Sequence, residues 1–303
     1  MDISAIICTR NRATTLMQCL TSVIAALKES GAKCELIVVD NGSTDSTSQL
    51  VRNYAVSLSD SAQISIRLVQ EPLAGLSRAR NAGLRAATGE IIAFTDDDCR
   101  PQLDYYKRLL ALAQPAQPPT LFGGMVILGD PSDQPYGIVL REQAERWQKD
   151  TDTTRGRNLA VALIGANMAM HRQLADRIGD FDPRYGAGGK FKSGEEIDYI
   201  YRTYLAGLPI RYCPELVVEH FHGRKTLDSI QKLASGYDRG DGALYAKYLF
   251  SAPQLLRPLI WDVKKALKEL RGGELCRPEL HISHWQRLWQ VTLGMLDYFI
   301  IQR

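Results

Sequence analysis

Three consecutive carboxylates, Asp96, Asp97 and Asp98, close an apolar run, Ile91-Ile92-Ala93-Phe94-Thr95. Adjacent carboxylates repel one another, and a sheet gains nothing from them that Asn or Ser would not supply. Where a buried strand opens into a loop, they make a hard-oxygen site for a divalent cation. A turn or a helix cap would need only one Asp. A second acidic cluster, Gly194-Glu195-Glu196-Ile197-Asp198, opens a helical run. Acids in a first turn complement the helix dipole by ~0.3–1 kcal/mol, and a carboxylate placed there can equally act as a general base. His220-Phe221-His222 ends a strand-like run, Leu216 to Glu219. Alternation puts both imidazoles on one face, where they either ligate a metal or pack.

Two further motifs read toward a nucleotide. Asp40, followed by Asn41-Gly42-Ser43, offers an acceptor for a base N–H or a ribose hydroxyl. The same residues also suit a turn capped by Ser43 or Asp45. The run Gly75 to Gly83 starts a helix and carries Arg78 and Arg80. With free backbone N–H groups beside them they suit a diphosphate, or they are ordinary exposed arginines. No G-x-G-x-x-G follows the first strand and no P-loop motif occurs, which argues against dinucleotide and P-loop enzymes.

These residues need a scaffold. Apolar runs at Ile3–Cys8, Glu35–Val39, Ile64–Val69 and Glu90–Thr95 read as buried strands. Helical spacing at Ala13–Lys28, Ser43–Tyr54, Leu76–Ala87 and Leu103–Ala113 separates or follows them. This rhythm predicts an α/β fold, a mainly parallel sheet flanked by helices. Ligands gather at the carboxyl ends of such strands, where Thr9-Arg10-Asn11, Asp40 and the three aspartates fall. Pro115 to Pro119 reads as a linker, Leu121–Leu128 as a strand, and the polar stretch through Arg157 has no clear pattern. Gly179–Gly194 is glycine-rich and suits a mobile lid. Glu195–Ala206 reads as a helix, Leu208–Cys213 as extended, and the pattern beyond Gly223 as amphipathic helices.

The composition is that of a soluble globular chain: 303 residues, 45% apolar and 23% charged. A net charge of +3 is too small to argue for nucleic acid. Six scattered cysteines without a C-x-x-C pair imply reduced, mostly buried thiols and a cytoplasmic setting. The start Met1-Asp2-Ile3 shows no signal peptide, and no apolar stretch reaches the ~20 residues that span a bilayer.

Taken in order, the motifs resemble the inverting, nucleotide-sugar-dependent glycosyltransferases of family 2, which have the GT-A fold. The matching segments are Cys8-Thr9-Arg10-Asn11-Arg12, Val38 to Asp45, Ala79-Arg80-Asn81-Ala82-Gly83, Phe94 to Asp98, Gly165 to Ala169, Gly179-Asp180-Phe181-Asp182 and Glu195 to Asp198. The resemblance covers roughly residues 3–223, leaving 224–303 as a helical extension. It implies that Thr9, Arg10 and Asp40 hold the nucleobase and ribose, and that Arg80 with Arg78 faces the diphosphate. It makes Asp96 and Asp98 a D-x-D site for Mg²⁺ or Mn²⁺, with His220 a third ligand, and Asp97 a support for ribose or loop. Asn167 would meet the acceptor. The family's base is usually the Asp of a Glu-Asp pair; here Glu196 stands in that place, with Glu195 the alternative.

The expected donor is UDP-, GDP- or dTDP-linked, and the acceptor a glycan or lipid-linked precursor in polysaccharide or cell-surface glycan synthesis. A sugar-1-phosphate nucleotidyltransferase would want a glycine-rich loop after the first strand, and Cys8 to Arg12 has no glycine. A non-catalytic nucleotide-sugar-binding protein is the other rival, and retention of Asp96, Asp98 and Glu196 argues against it. The tail residues Leu288, Trp289, Val291, Leu293, Leu296, Phe299 and Ile300, flanked by Arg287 and Arg303, read either as peripheral membrane contact or as packing against the domain or a second subunit.

Overall fold

A computed structural model gives the fold of residues 1–57, 64–151 and 159–301. The strands are β1 (Ile3–Thr9), β2 (Cys34–Asp40), β3 (Ile64–Gln70), β4 (Ile91–Asp96), β5 (Cys99–Pro101), β6 (Leu121–Leu128), β7 (Glu145–Trp147), β8 (Asn167–His171) and β9 (Ile210–His220). The helices are α1 (Leu16–Glu29), α2 (Thr47–Ser57), α3 (Leu76–Ala86), α4 (Tyr105–Leu112), α5 (Arg172–Ile178), α6 (Glu195–Leu205), α7 (Leu227–Tyr248), α8 (Arg257–Glu269) and α9 (His284–Ile301).

One sheet has the order β3-β2-β1-β4-β8-β6-β9-β5, with β7 also paired to β9. Its first four strands are parallel. Beyond them β8 runs antiparallel to both β4 and β6, so the parallel character belongs to half of the sheet. Side chains of β1 alternate between two cores: Ile3, Ala5 and Ile7 join α1 residues such as Leu20 and Val23, while Ile6 joins Phe94, Phe181 and Tyr199. Burial on both faces explains why these strands read as continuous apolar runs.

Strand β9 is continuous where the sequence suggests two pieces divided by Pro214. Opposite it the β6 register jumps from Gly124↔Cys213 to Met125↔Val217, placing Pro214 in a bulge. A bulge tolerates the missing N–H of proline. Gly124 permits the approach, since a Cβ there would lie 2.1 Å from the Leu216 carbonyl oxygen.

The C-terminal helices share the main core: Leu244, Tyr248 and Tyr298 cluster with Tyr185 and Phe191. Helices α7 and α9 cross closely, because a Cβ on Gly242 would meet the Val291 carbonyl at 2.0 Å and one on Gly294 the Arg239 carbonyl at 1.9 Å. Arg287, expected as a membrane flank, is instead mostly buried. It pairs with Asp238, Asp241 (2.9 Å) and Asp262 (2.8 Å), and Arg277 pairs with Asp238 at 2.8 Å. Arg303 and residues 152–158, the end of the polar stretch, lie outside the described residues. Val291 packs inward, whereas Trp289, Leu296, Phe299 and Ile300 are exposed. Among the described residues no helix is long and apolar enough to cross a membrane.

Candidate active site

The carboxyl ends of β1, β4 and β9 meet at the acidic triplet. Asp96 ends β4, and β5 pairs with β9 so that Cys99 stands opposite His220. The His220 Nε2 lies 3.3 Å from Asp98 Oδ1, and its buried Nδ1 has no hydrogen-bond partner. His222 is committed elsewhere: its Nε2 faces the Gln134 carbonyl at 3.0 Å and its Nδ1 accepts from the Arg224 N–H at 3.0 Å. Of the two imidazoles, then, His220 is the one aimed at the acids.

The three aspartates have separate surroundings. Burial raises the Asp98 carboxyl, but the His220 hydrogen bond and charge, with Arg12, outweigh it and hold Asp98 below the usual range. Burial raises Asp96 above its ordinary value, opposed by Arg80 and reinforced by Asp98. Asp97 is pushed up to about 6 by burial, although Thr9 donates to it at 2.7 Å. Arg12 reaches Asp97 at 3.4 Å and Asp98 at 3.7 Å. Its position is fixed by two interlocked loops, with the Asn11 side chain accepting from the Thr44 N–H and the Arg12 N–H donating to Thr47. The sequence reading gave Arg12 no role; a second basic residue directly after Arg10-Asn11 was the available signal.

The donor set fits a divalent cation. Asp98, Cys99 and His220 each offer an atom within 4.8 Å of the others. Cys99 is buried and its thiol is raised well above its ordinary value, so the carboxylates and the imidazole are the groups suited to a hard or borderline ion.

Arg80 is not turned to solvent. It is 2% exposed and donates to Glu195 Oε1 at 2.9 Å, with Asp96 3.6 Å away. Its guanidinium lies over Phe94 and Phe181, and Gly165 packs directly against it. A buried cation needs paired acids, and Arg80, expected to face a diphosphate, finds them in Asp96 and Glu195. Arg78, one position from the inward face, is exposed, as is Arg10.

Gly194, at φ 90°, starts α6. Glu195 is spent on Arg80, whereas Glu196 Oε2 is buried without a partner. Burial first, then the charge of Glu195, pushes Glu196 up to about 8. A carboxyl so raised has the character of a general acid or base.

Asp40 and Asn167 both make hydrogen bonds within the fold. Asp40 is 1% exposed, and its carboxylate accepts from the Ser43 N–H at 2.9 Å and from the Ser48 hydroxyl, so it shapes the turn. Asn167 is fully buried. Its amide donates to the Met125 and Leu216 carbonyls and its oxygen accepts from Tyr105, so these bonds tie β8 to β6, β9 and α4. The expected lid is likewise stitched down. Asn81 exchanges both hydrogen bonds with the Phe181 backbone, Ser77 donates to the Tyr185 carbonyl, and Leu76 N–H donates to Ala187.

A sheet of this order, with acids where a parallel strand opens beside an antiparallel one, defines the GT-A class of glycosyltransferase folds. Residues 4–179 match the model of glycosyl transferase family 2, and the chain belongs to that family. Glycosyltransferase AglE of Haloferax volcanii is 26% identical over 220 residues, covering 72% of this chain and 66% of that one. The succinoglycan biosynthesis protein ExoM of Rhizobium meliloti is 30% identical over 217 residues, covering 69% and 63%. The chain thus spans just under two thirds of the length of both relatives. The mannosyltransferase PcManGT from Pyrobaculum calidifontis, solved with GDP-Man and Mn²⁺, has the same fold: TM-score 0.57 and 22% identity, covering 98% of this chain and 75% of that one.

Proposed function

We propose that the protein is an inverting, metal-dependent glycosyltransferase that moves a hexosyl or deoxyhexosyl group from a nucleoside diphosphate sugar to a glycan or lipid-linked hydroxyl. The observation that carries this is the unpartnered Glu196 Oε2, joined through Glu195, Arg80 and Asp96 to the Asp98–His220 pair. Asp98, His220 and Asp96 would hold Mg²⁺ or Mn²⁺, which supplies Lewis-acid stabilisation of the departing diphosphate. Imidazole in the set favours Mn²⁺, the ion bound by PcManGT. Arg12, beside Asp97 and Asp98, and the exposed Arg78 and Arg10 would neutralise and orient the nucleotide.

Glu196 accepts the proton of the acceptor hydroxyl as that oxygen bonds to the anomeric carbon. The carbon–oxygen bond to the diphosphate breaks on the opposite face, the bonding pair leaving with the diphosphate. The sugar passes through an oxocarbenium-like state with inversion. Arg80 fixes Glu195, so that the second carboxylate of the pair takes the proton. The name of ExoM supports a role in polysaccharide synthesis. The claim is checked with Asp98→Ala, which should lose Mn²⁺-stimulated release of nucleoside diphosphate; undiminished release would refute the metal assignment.

The same reading includes an anionic membrane surface as the place of work. Ile260, Trp261, Val263, Leu267 and Leu270, on α8 and its C-terminal cap, are exposed at helical spacing. Lys264, Lys268 and Arg271 are exposed among them. The two acids of α8 are turned to the protein: Asp262 pairs with Arg287, and Glu269 accepts from the His284 N–H. An apolar stripe rimmed by Lys264, Lys268 and Arg271 fits an interface of anionic lipid.

A further inference from the structure

Two aromatic rings, one in the loop after β6 and one on α7, come together. Tyr136 and Tyr237 stack with centroids 6.1 Å apart and planes at 24°. Each is anchored to a different part of the site. The Tyr136 N–H donates to the Gln134 carbonyl, which also faces His222, two residues beyond His220. The Gln134 N–H in turn donates to the Arg224 carbonyl. Tyr237 follows Gly236, whose carbonyl accepts from Ser193 at 3.3 Å, two residues before Glu195. Gly240 keeps this contact close, since a Cβ there would lie 2.1 Å from Ser193 Oγ. The pair therefore bridges the segment that follows His220 and the segment that precedes Glu195.

The two rings are not equivalent. Tyr136 backs onto the Ile230, Ala234, Leu280 and Ile282 cluster. Tyr237 is 41% exposed, yet burial and then the charge of Glu196 raise its phenol. Through the Gly236–Ser193 contact this exposed ring stands beside the start of α6, the turn that carries Glu196.

We infer that Tyr237, backed by Tyr136, is an acceptor subsite that takes a pyranose ring by stacking. The inference rests on the transferase reading above. Aromatic faces carry partial negative charge that attracts the axial C–H groups of a sugar ring. A ring lying on Tyr237 presents its hydroxyls toward Glu196, as proton removal requires. A nucleobase would stack as well, but the nucleotide side lies at Arg10 and Arg12, beyond the aspartates at the ends of β1 and β2.

Saturation-transfer NMR tests this on the full chain with Mn²⁺ and UDP, GDP or dTDP, using methyl glycosides of glucose, galactose, mannose, N-acetylglucosamine and rhamnose as probes. At least one glycoside should be saturated through its ring C–H protons. That signal should fall to background in Tyr237→Ala and persist in Tyr237→Phe, which keeps the ring and removes the hydroxyl. No saturation of any glycoside, an unchanged signal in Tyr237→Ala, or loss in Tyr237→Phe would overturn it. The thermal shift induced by nucleoside diphosphate with Mn²⁺ is read on the same samples. Its absence in the wild type counts against the transferase reading itself; its loss only in Tyr237→Ala reassigns the ring to the donor base and overturns the acceptor subsite.

Discussion

Glu195 and Glu196 are neighbours in sequence and opposites in environment. One is neutralised by Arg80; the other keeps a buried oxygen free. That division was not legible in the sequence, where both are acids in a first helical turn, because it depends on a cation 115 residues away. The acidic triplet was more legible as a candidate site, since three adjacent carboxylates have few structural uses. A pH dependence follows from Glu196. A base must be ionised to work, and burial, then Glu195, raise its pKa to about 8. The kcat/KM for transfer should therefore rise with pH and level off above about 8, falling about tenfold per unit below it. Glu196→Gln should lower the rate by roughly 10²- to 10⁴-fold and flatten this limb, while donor affinity is kept. A profile flat from weakly acidic to alkaline pH in the wild type would contradict the role.

Helix α3 shows how elements hold these residues. Its inward face carries Ser77, Arg80 and Asn81, each bonded to the segment from Tyr185 through Glu195 or to Phe181. The glycine content of 179–194 suggested mobility, but Phe181, Tyr185 and Phe191 are fully buried there. Glycine signals backbone freedom only until side chains on either side are anchored, and periodicity does not show anchoring. Short elements escaped for a related reason: β5 and β7 have three residues each, too few for a pattern. Gly165 is the point where loop, helix and site meet. Gly165→Ala would put a Cβ 2.6 Å from Arg80 Nη2. Because that guanidinium is fixed by Glu195 and Asp96, the clash should destabilise by ~1–3 kcal/mol. It should also reduce turnover more than wild type loses at an equal loss of stability. Wild-type melting and turnover in Gly165→Ala would show that the packing is not needed.

At the scale of the molecule, the parallel half of the sheet was readable because strands buried on both faces are apolar throughout. The antiparallel half was not, since β8 pairs with strands distant in sequence and β9 crosses a proline. The C-terminal helices complete the core through Leu244 and Tyr298 while leaving Trp261, Trp289 and Phe299 exposed. Co-sedimentation with vesicles rich in anionic phospholipid should therefore capture the protein at low salt and release it as salt rises. Replacing Trp261 and Leu267 with Ser should weaken capture; a salt-independent dimer with no vesicle binding would assign this face to a second copy instead.

The central claim is that Asp96, Asp98 and His220 create a metal-dependent site for a nucleoside diphosphate sugar. It is tested most directly by measuring nucleoside diphosphate release from UDP-, GDP- and dTDP-sugars with and without Mn²⁺. The expected result is release from one donor class, dependent on the metal and lost in Asp98→Ala. Release from none of these donors, or equal release with the metal chelated, would contradict it.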